Sequence, residues 1–333
     1  MPPVLRSRRR VLQAFGAAAA LGPLAGVAQA QGSFANRPVR IVLPSGAGGG
    51  SDIFARPFGE WLAREIGQPV VIENKPGALG VLAHDAVVRQ PPDGHVLLVS
   101  FAAAVLGNKV MNSKLSHDPL VDLKPIGLIG GEGGNLLIAT PDFPAKNLAD
   151  VLALAKAQNG ALAYGSWGIG SGGHLVMEAI AAKAGVRLNH VPYKTVSGIP
   201  NDMLAGVLKL STIDSGTPVA LLKAGKLKAL AALAVKRLPQ LPDVPTQGEQ
   251  GFPLEAPPWY GLFGPSGMSD DLARRLNALL NRWLALPETI AMFAEKMNTP
   301  APLPKSPEEF AAQLQRELPV WRRMVADAKV PVT

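Results

Sequence analysis

The sequence predicts an α/β protein made of two halves of similar style. Three observations carry that reading. Short apolar, β-branched runs alternate with Ala- and Leu-rich stretches of helical spacing along most of the chain. Gly- and Pro-rich turns separate them, and such alternation argues for a parallel sheet covered on both faces. Of the 333 residues, 47% are hydrophobic and 17% charged, which suits two globular domains or one large unit and excludes disorder.

The first thirty residues are set apart from that pattern. Arg6, Arg8, Arg9 and Arg10 precede an apolar run from Val11 to Val27, which closes on Ala28-Gln29-Ala30. This is the layout of a cleaved export signal, and residues 7–12 fit a twin-arginine version of it. Without the four leader arginines the remainder holds 29 basic and 25 acidic residues, a net charge of +4. That mild balance, with no basic block, gives no reason to infer nucleic-acid binding. The chain has no cysteine, which excludes thiolate catalysis and thiolate metal sites. Its five histidines lack the spacing of a metal motif, so neither metal nor cofactor is expected. No stretch beyond the leader is long and apolar enough to span a bilayer.

The elements follow in order. Residues 39–43 read as a strand. Pro44 and a Gly-rich loop break it, and Ser51 or Asp52 is expected to cap a helix with apolar positions at Ile53, Phe54, Phe58, Trp61, Leu62 and Ile66. Pro57 is placed near the first turn of that helix, where a missing N–H matters least. A strand at 69–74, a helix at 81–89 and a strand at 95–99 complete the first series, with turns at 75–78 and 91–94. The second series has strands at 125–129, 136–140, 161–166, 188–193, 208–213 and 227–233. Helices at 148–157, 175–184, 200–205 and 219–224 lie between them. Residues 259–263 read as one further strand. Helices at 270–285, 288–296 and 307–328 close the chain, the last interrupted by Pro319.

Two loops stand where open α/β sheets bind ligands, beyond the carboxyl ends of strands. One is residues 45–52, with Ser45, Gly46, Ala47, Gly49, Gly50, Ser51 and Asp52. The other is residues 165–174, with Ser166, Gly168, Gly170, Ser171 and His174. Each leads into a helix, where free amides and the positive end of the helix dipole can hold an anion without any Arg. Tight βα turns are the plain alternative for either loop alone. Gly168-x-Gly170-x-x-Gly173 is also a formal dinucleotide fingerprint, but the acidic residue expected about twenty positions later is missing. An exported nucleotide-dependent oxidoreductase is therefore the alternative function. Asp214 is read either as a ligand contact or as a cap for the next helix. His174 is read as a donor to a bound oxygen or as a packed helix-start residue. Tyr193 and Lys194 end a strand and either face the cleft or lie in solvent. Trp259 and Tyr260 are assigned to a hinge or to the core. No catalytic triad or carboxylate pair can be placed from spacing.

Read together, these motifs resemble the Bug family, the solute receptors of tripartite tricarboxylate transporters. The landmarks are Val42-Leu43-Pro44 with Gly48-Gly49-Gly50-Ser51-Asp52 and Arg56, the run from Gly67 to Ala78, and Pro92-Asp93-Gly94. His117-Asp118-Pro119, Tyr164-Gly165-Ser166, His190-Val191-Pro192-Tyr193-Lys194 and Leu241-Pro242-Asp243-Val244-Pro245-Thr246 continue them. The resemblance implies a two-lobed periplasmic-binding-protein fold of type II with a ligand cleft between the lobes. Lobe one is expected at 31–128 plus 256–333 and lobe two at 129–255. The implied function is periplasmic binding of a small organic carboxylate, delivered to a membrane transporter or a sensor by a monomer that is not an enzyme. The expected ligand set is the two loops above with Ala102, Tyr193 and Asp214, and Ser166 and Ser171 are expected to donate side-chain hydrogen bonds. The chain departs from the family at Ser45-Gly46-Ala47, where Phe-Ala-Ala is usual, and at Thr195-Val196, where Gly-Ser is usual.

Overall fold

In the computed structural model two five-stranded sheets each carry their own layer of helices. The structure describes residues 35–131, 134–194, 196, 198–253 and 256–330. The leader and Thr195 lie outside these. The first sheet has the order β2-β1-β3-β10-β4. Its strands are β1 (Val39–Leu43), β2 (Val70–Asn74), β3 (Val96–Phe101), β4 (Leu123–Gly131) and β10 (Trp259–Pro265). The second has the order β7-β6-β8-β5-β9, from β5 (Asn135–Ala139), β6 (Ala163–Ser166), β7 (Asn189–Pro192), β8 (Leu210–Asp214) and β9 (Lys228–Leu233).

Burial follows position in each sheet. Central β3 and β5 are almost wholly apolar and buried, whereas edge β2 is partly exposed along its length. The expectation of a parallel sheet holds among β1, β2 and β3 and among β6, β7 and β8, and is corrected elsewhere. β10 runs antiparallel to both β3 and β4, and β5 antiparallel to both β8 and β9. The reason lies in the connections. β10 enters the first sheet on the chain's return from the second, and β5 enters the second with no crossover helix before it. The outgoing and returning segments lie side by side, since Trp259 pairs with Gly131 at the end of β4. Gly131 has φ +117°, and a Cβ there would fall 2.4 Å from the Trp259 Cα, so only glycine fits. All of β4 belongs to the first sheet, so the chain leaves it after Gly131, three residues beyond the expected boundary at 128.

The helices are α1 (Gly50–Ile66), α2 (Val81–Val88), α3 (Asn108–Met111), α4 (Leu148–Ala157), α5 (Gly172–Lys183), α6 (Gly198–Leu204), α7 (Val219–Lys223), α8 (Asp270–Leu284), α9 (Pro287–Lys296) and α10 (Pro307–Asp327). Pro57 is the eighth residue of α1, well past the first turn. Ile53, whose carbonyl it leaves without a helical partner, is only partly buried. Pro319 does not interrupt α10. It sits on the exposed side with Gln315, so the freed Gln315 carbonyl faces water. A capping box of Ser306 and Glu309 starts this helix. Trp259 Nε1 donates to the buried Glu317 of α10 at 2.7 Å, which anchors the helix beneath β10. α10 also packs on α5, and Asn298 after α9 donates to the Ser215 carbonyl, so the C-terminal region touches both sheets.

Candidate functional site

The loop after β1 is held open by Asp52. Its carboxylate accepts from the Gly48 amide at 2.9 Å, from Arg56 twice at 2.8 Å, and from Asn74 Nδ2 at 3.1 Å. Asn74 also donates to the Ser45 carbonyl at 2.8 Å. Burial pushes the Asp52 carboxyl up, but the hydrogen bonds from Arg56, Gly48 and Asn74 outweigh it and hold it below the usual range. The N-cap of α1 is Gly49, and not Ser51 or Asp52 as expected. Glycine offers no side-chain acceptor, so among the described residues the Gly50 and Ser51 amides are left without one. The Ser45 and Ser51 hydroxyls are buried and also lack a partner. Gly46 and Ala47 are exposed. A Cβ on Gly50 would fall 1.9 Å from the Tyr260 hydroxyl, so the phenol lies directly over this helix start.

The loop after β6 is built around serine and histidine. Ser171 is the N-cap of α5, its Oγ accepting from the His174 amide at 3.3 Å. Ser166 Oγ is hydrogen-bonded to His190 Nε2 at 2.7 Å and to Ser171 Oγ at 3.1 Å, and it donates to the Gly168 carbonyl at 3.1 Å. The Gly170 amide donates to His174 Nδ1 at 3.0 Å. The His174 and His190 rings stack with centroids 3.9 Å apart. Burial lowers both to about 4, so both are neutral near pH 7. The amides of Gly172 and Gly173 have no acceptor among the described residues.

The glycines of the G-x-G-x-x-G pattern have local reasons. Gly168 and Gly170 have φ of +128° and +74°. A Cβ on Gly170 would strike Met111 of the first half, at 2.5 Å. A Cβ on Gly173 would meet Thr212 Oγ1 at 2.3 Å and the Trp167 ring at 2.7 Å. The pattern is thus what close packing of this turn requires.

A cavity of about 50 Å³ lies between the sheets. Phe101 at the end of β3 with Ala102 after it, Trp259 and Tyr260 of β10, and Trp321 of α10 line it from one side. Asn135, Trp167 and Gly172 line it from the other. Gly172 brings the start of α5 to the cavity directly. Tyr260 connects it to the start of α1, because its hydroxyl lies over Gly50. Burial, with a smaller contribution from the Asp214 charge, raises the Tyr260 phenol, so it stays a neutral donor. A larger groove of about 360 Å³ lies between α5 and α10, sharing Val176 and Met324 with the cavity, but neither glycine-rich helix start reaches it.

Of the expected ligand set, Ala102 alone lines the cavity among the described residues. Ser166 and Ser171 are fully buried, and their hydroxyls are hydrogen-bonded to each other, to the loop backbone and, for Ser166, to His190. His174 is a packed helix-start residue. Asp214 accepts from the amides of Gly216 and Thr217 at 3.0 and 2.8 Å, which is the capping alternative. Tyr193 donates to Asp202 at 2.7 Å. Sequence reasoning missed Phe101, Asn135 and Trp321, and it left Tyr260 between hinge and core. Trp167 and Gly172 sat inside the flagged loop. Their signal was a Trp among glycines in a turn, an unusual place for a large apolar ring.

The description "Tripartite tricarboxylate transporter family receptor" matches residues 54–327. BugT of Bordetella pertussis is 30% identical over 294 residues, covering 87% of this chain and 89% of BugT. The structure of the periplasmic binding protein BugD superposes with a TM-score of 0.78 at 29% identity, covering 89% of this chain and 99% of BugD. MatC from Rhodopseudomonas palustris with bound malate gives a TM-score of 0.78 at 29% identity, covering 87% and 99%. Two sheets of this strand order, joined side by side at Gly131 and Trp259, form the two-lobed type II periplasmic-binding-protein fold. The chain belongs to the Bug family, the receptors of tripartite tricarboxylate transporters.

Proposed function

We propose that this protein is a periplasmic receptor that closes two lobes over a small organic carboxylate and performs no chemistry on it. The observation that carries the reading is a cavity between the sheets with the start of α5 and its unbonded amides in one wall and Tyr260, whose hydroxyl lies over the start of α1, in the other. Backbone donors and neutral hydroxyls suit an anion that must later be released. Lobe one comprises residues 31–131 with 256–333, and lobe two 132–255. The cavity has room for one or two waters, so an organic acid enters only when the lobes separate and is held as they close. The malate bound to MatC supports a carboxylate here. The twin-arginine leader read in residues 1–30 delivers the chain to the periplasm, where a monomer hands its cargo to the membrane subunits of a transporter.

Thermal denaturation against a panel of organic acids and their amides tests this reading. An acid that binds the native state raises Tm by mass action, and its neutral amide does not. A panel in which amides stabilise as well as acids would remove the anion from the argument. Replacing Arg8 and Arg9 by Lys should leave uncut precursor in the cell if the export route is the twin-arginine one.

A further inference from the structure

We propose that the ligand is a monocarboxylate with a flat, apolar body, such as an aromatic acid, and not a dicarboxylate of the malate kind. This rests on the carboxylate-receptor reading and narrows it. Aromatic residues make up 5% of the chain but five of the fourteen described residues lining the cavity: Phe101, Trp167, Trp259, Tyr260 and Trp321. Rings so placed offer stacking and edge contacts to a planar guest.

Charge gives the second argument. Among the described residues, no Lys, Arg, His, Asp or Glu lines the cavity. Arg56, the cation beside the α1 start, is already committed to Asp52 by two hydrogen bonds. Of the two helix starts, that of α5 reaches the cavity wall at Gly172, and its Gly172 and Gly173 amides, without an acceptor among the described residues, suffice for one carboxylate, whereas the unbonded Gly50 and Ser51 amides of α1 lie behind the Tyr260 hydroxyl. A second carboxylate would be pressed against aromatic walls with no counter-charge, which is strongly unfavourable.

The third argument is Trp321 Nε1. It is buried, without an acceptor among the described residues, on a residue that lines the cavity. A neutral donor of this kind suits a ring hydroxyl or ether on the guest, and an unmet buried donor is itself costly.

The test is isothermal calorimetry on the purified protein with benzoate, 4-hydroxybenzoate, malate, succinate and benzamide. Benzoate and 4-hydroxybenzoate should bind at least tenfold more tightly than malate or succinate, and benzamide should not bind. Trp167→Leu should weaken the aromatic acids at least tenfold. Ligand-induced quenching of Trp emission in the unaltered protein should report the same contact if that variant fails to fold. Malate or succinate binding more tightly than the aromatic acids would overturn this inference and leave the carboxylate receptor standing. Failure of every carboxylate in a broad panel to bind would instead overturn the receptor reading on which it rests.

Discussion

Ser171 separates a scaffolding role from a ligand-contacting one. It is fully buried, its backbone is extended at φ −63° and ψ 155°, and its Oγ caps the His174 amide at 3.3 Å. Ser171→Ala removes that cap, at a cost of about 1 kcal/mol within a range of roughly 0.5–2. It also takes one partner from Ser166 Oγ, which keeps His190 Nε2 at 2.7 Å and the Gly168 carbonyl at 3.1 Å. The total should therefore stay near 1–2 kcal/mol. For a chain of this length each kcal/mol moves Tm by about 2 °C, so the melting point should fall by about 2–4 °C. Glycine at an N-cap costs only a few tenths of a kcal/mol relative to serine, and with the same lost Ser166 partner Ser171→Gly should lower Tm by about 1–2 °C, less than Ser171→Ala. The assay pairs calorimetric melting with acid titration for both variants. If the hydroxyl only orders the helix start, affinity tracks Tm, and Ser171→Gly binds more tightly than Ser171→Ala. A Ser171→Gly protein that melts above Ser171→Ala but binds acid as weakly would refute the reasoning, since the hydroxyl would then touch the ligand.

Acid should unfold the protein early. His84 is buried with its Nε2 hydrogen-bonded to Ser100 Oγ at 2.8 Å, and burial, aided by the neighbouring His117, lowers it to about 3. The unfolded chain binds a proton near pH 6.5 and the folded one resists, so stability is lost as pH falls from 6.5 towards 3. At pH 5 His84 contributes a loss of about 2 kcal/mol, with His174 and His190 acting in the same direction. Urea melts at pH 7.5 and pH 5 measure this, and His84→Gln should flatten part of the slope; equal midpoints at the two pH values would contradict it. Asp52→Asn should lower stability by about 1–2 kcal/mol, because charge-assisted bonds to Arg56 are lost, discounted for the exposure of Arg56. Acid affinity should drop with it, as the Gly48 amide loses its carboxylate, and unchanged melting and titration curves would show that Asp52 does not order the loop.

Much of the fold was legible in the chain. Every strand was placed to within a few residues because runs such as Val39–Leu43 and Val96–Phe101 are apolar, β-branched and bounded by Pro or Gly. Strand direction was not legible, since the run at Trp259–Pro265 carries no mark of polarity. The two glycine-rich loops were found because a helix start needs bare backbone wherever another group approaches closely. Their serines were expected to donate to a ligand, and the histidine was left between ligand donor and packed residue, because a one-dimensional reading sees a polar group beside a loop. It does not see that His190, 24 residues on, lies 2.7 Å from Ser166 Oγ.

The sequence by itself determined the α/β class, the order of the elements and the two glycine-rich helix starts. These depend on local spacing and on backbone groups that neighbouring residues expose. Tertiary structure alone decided which side chains face the cavity. Phe101, Asn135, Tyr260 and Trp321 lie far apart in the chain and meet only when β10 inserts between β3 and β4 and α10 packs beneath it. Which group satisfies a polar atom, and which is left for a guest, is settled by those long-range contacts, because a hydrogen bond made within the fold is no longer available to a ligand.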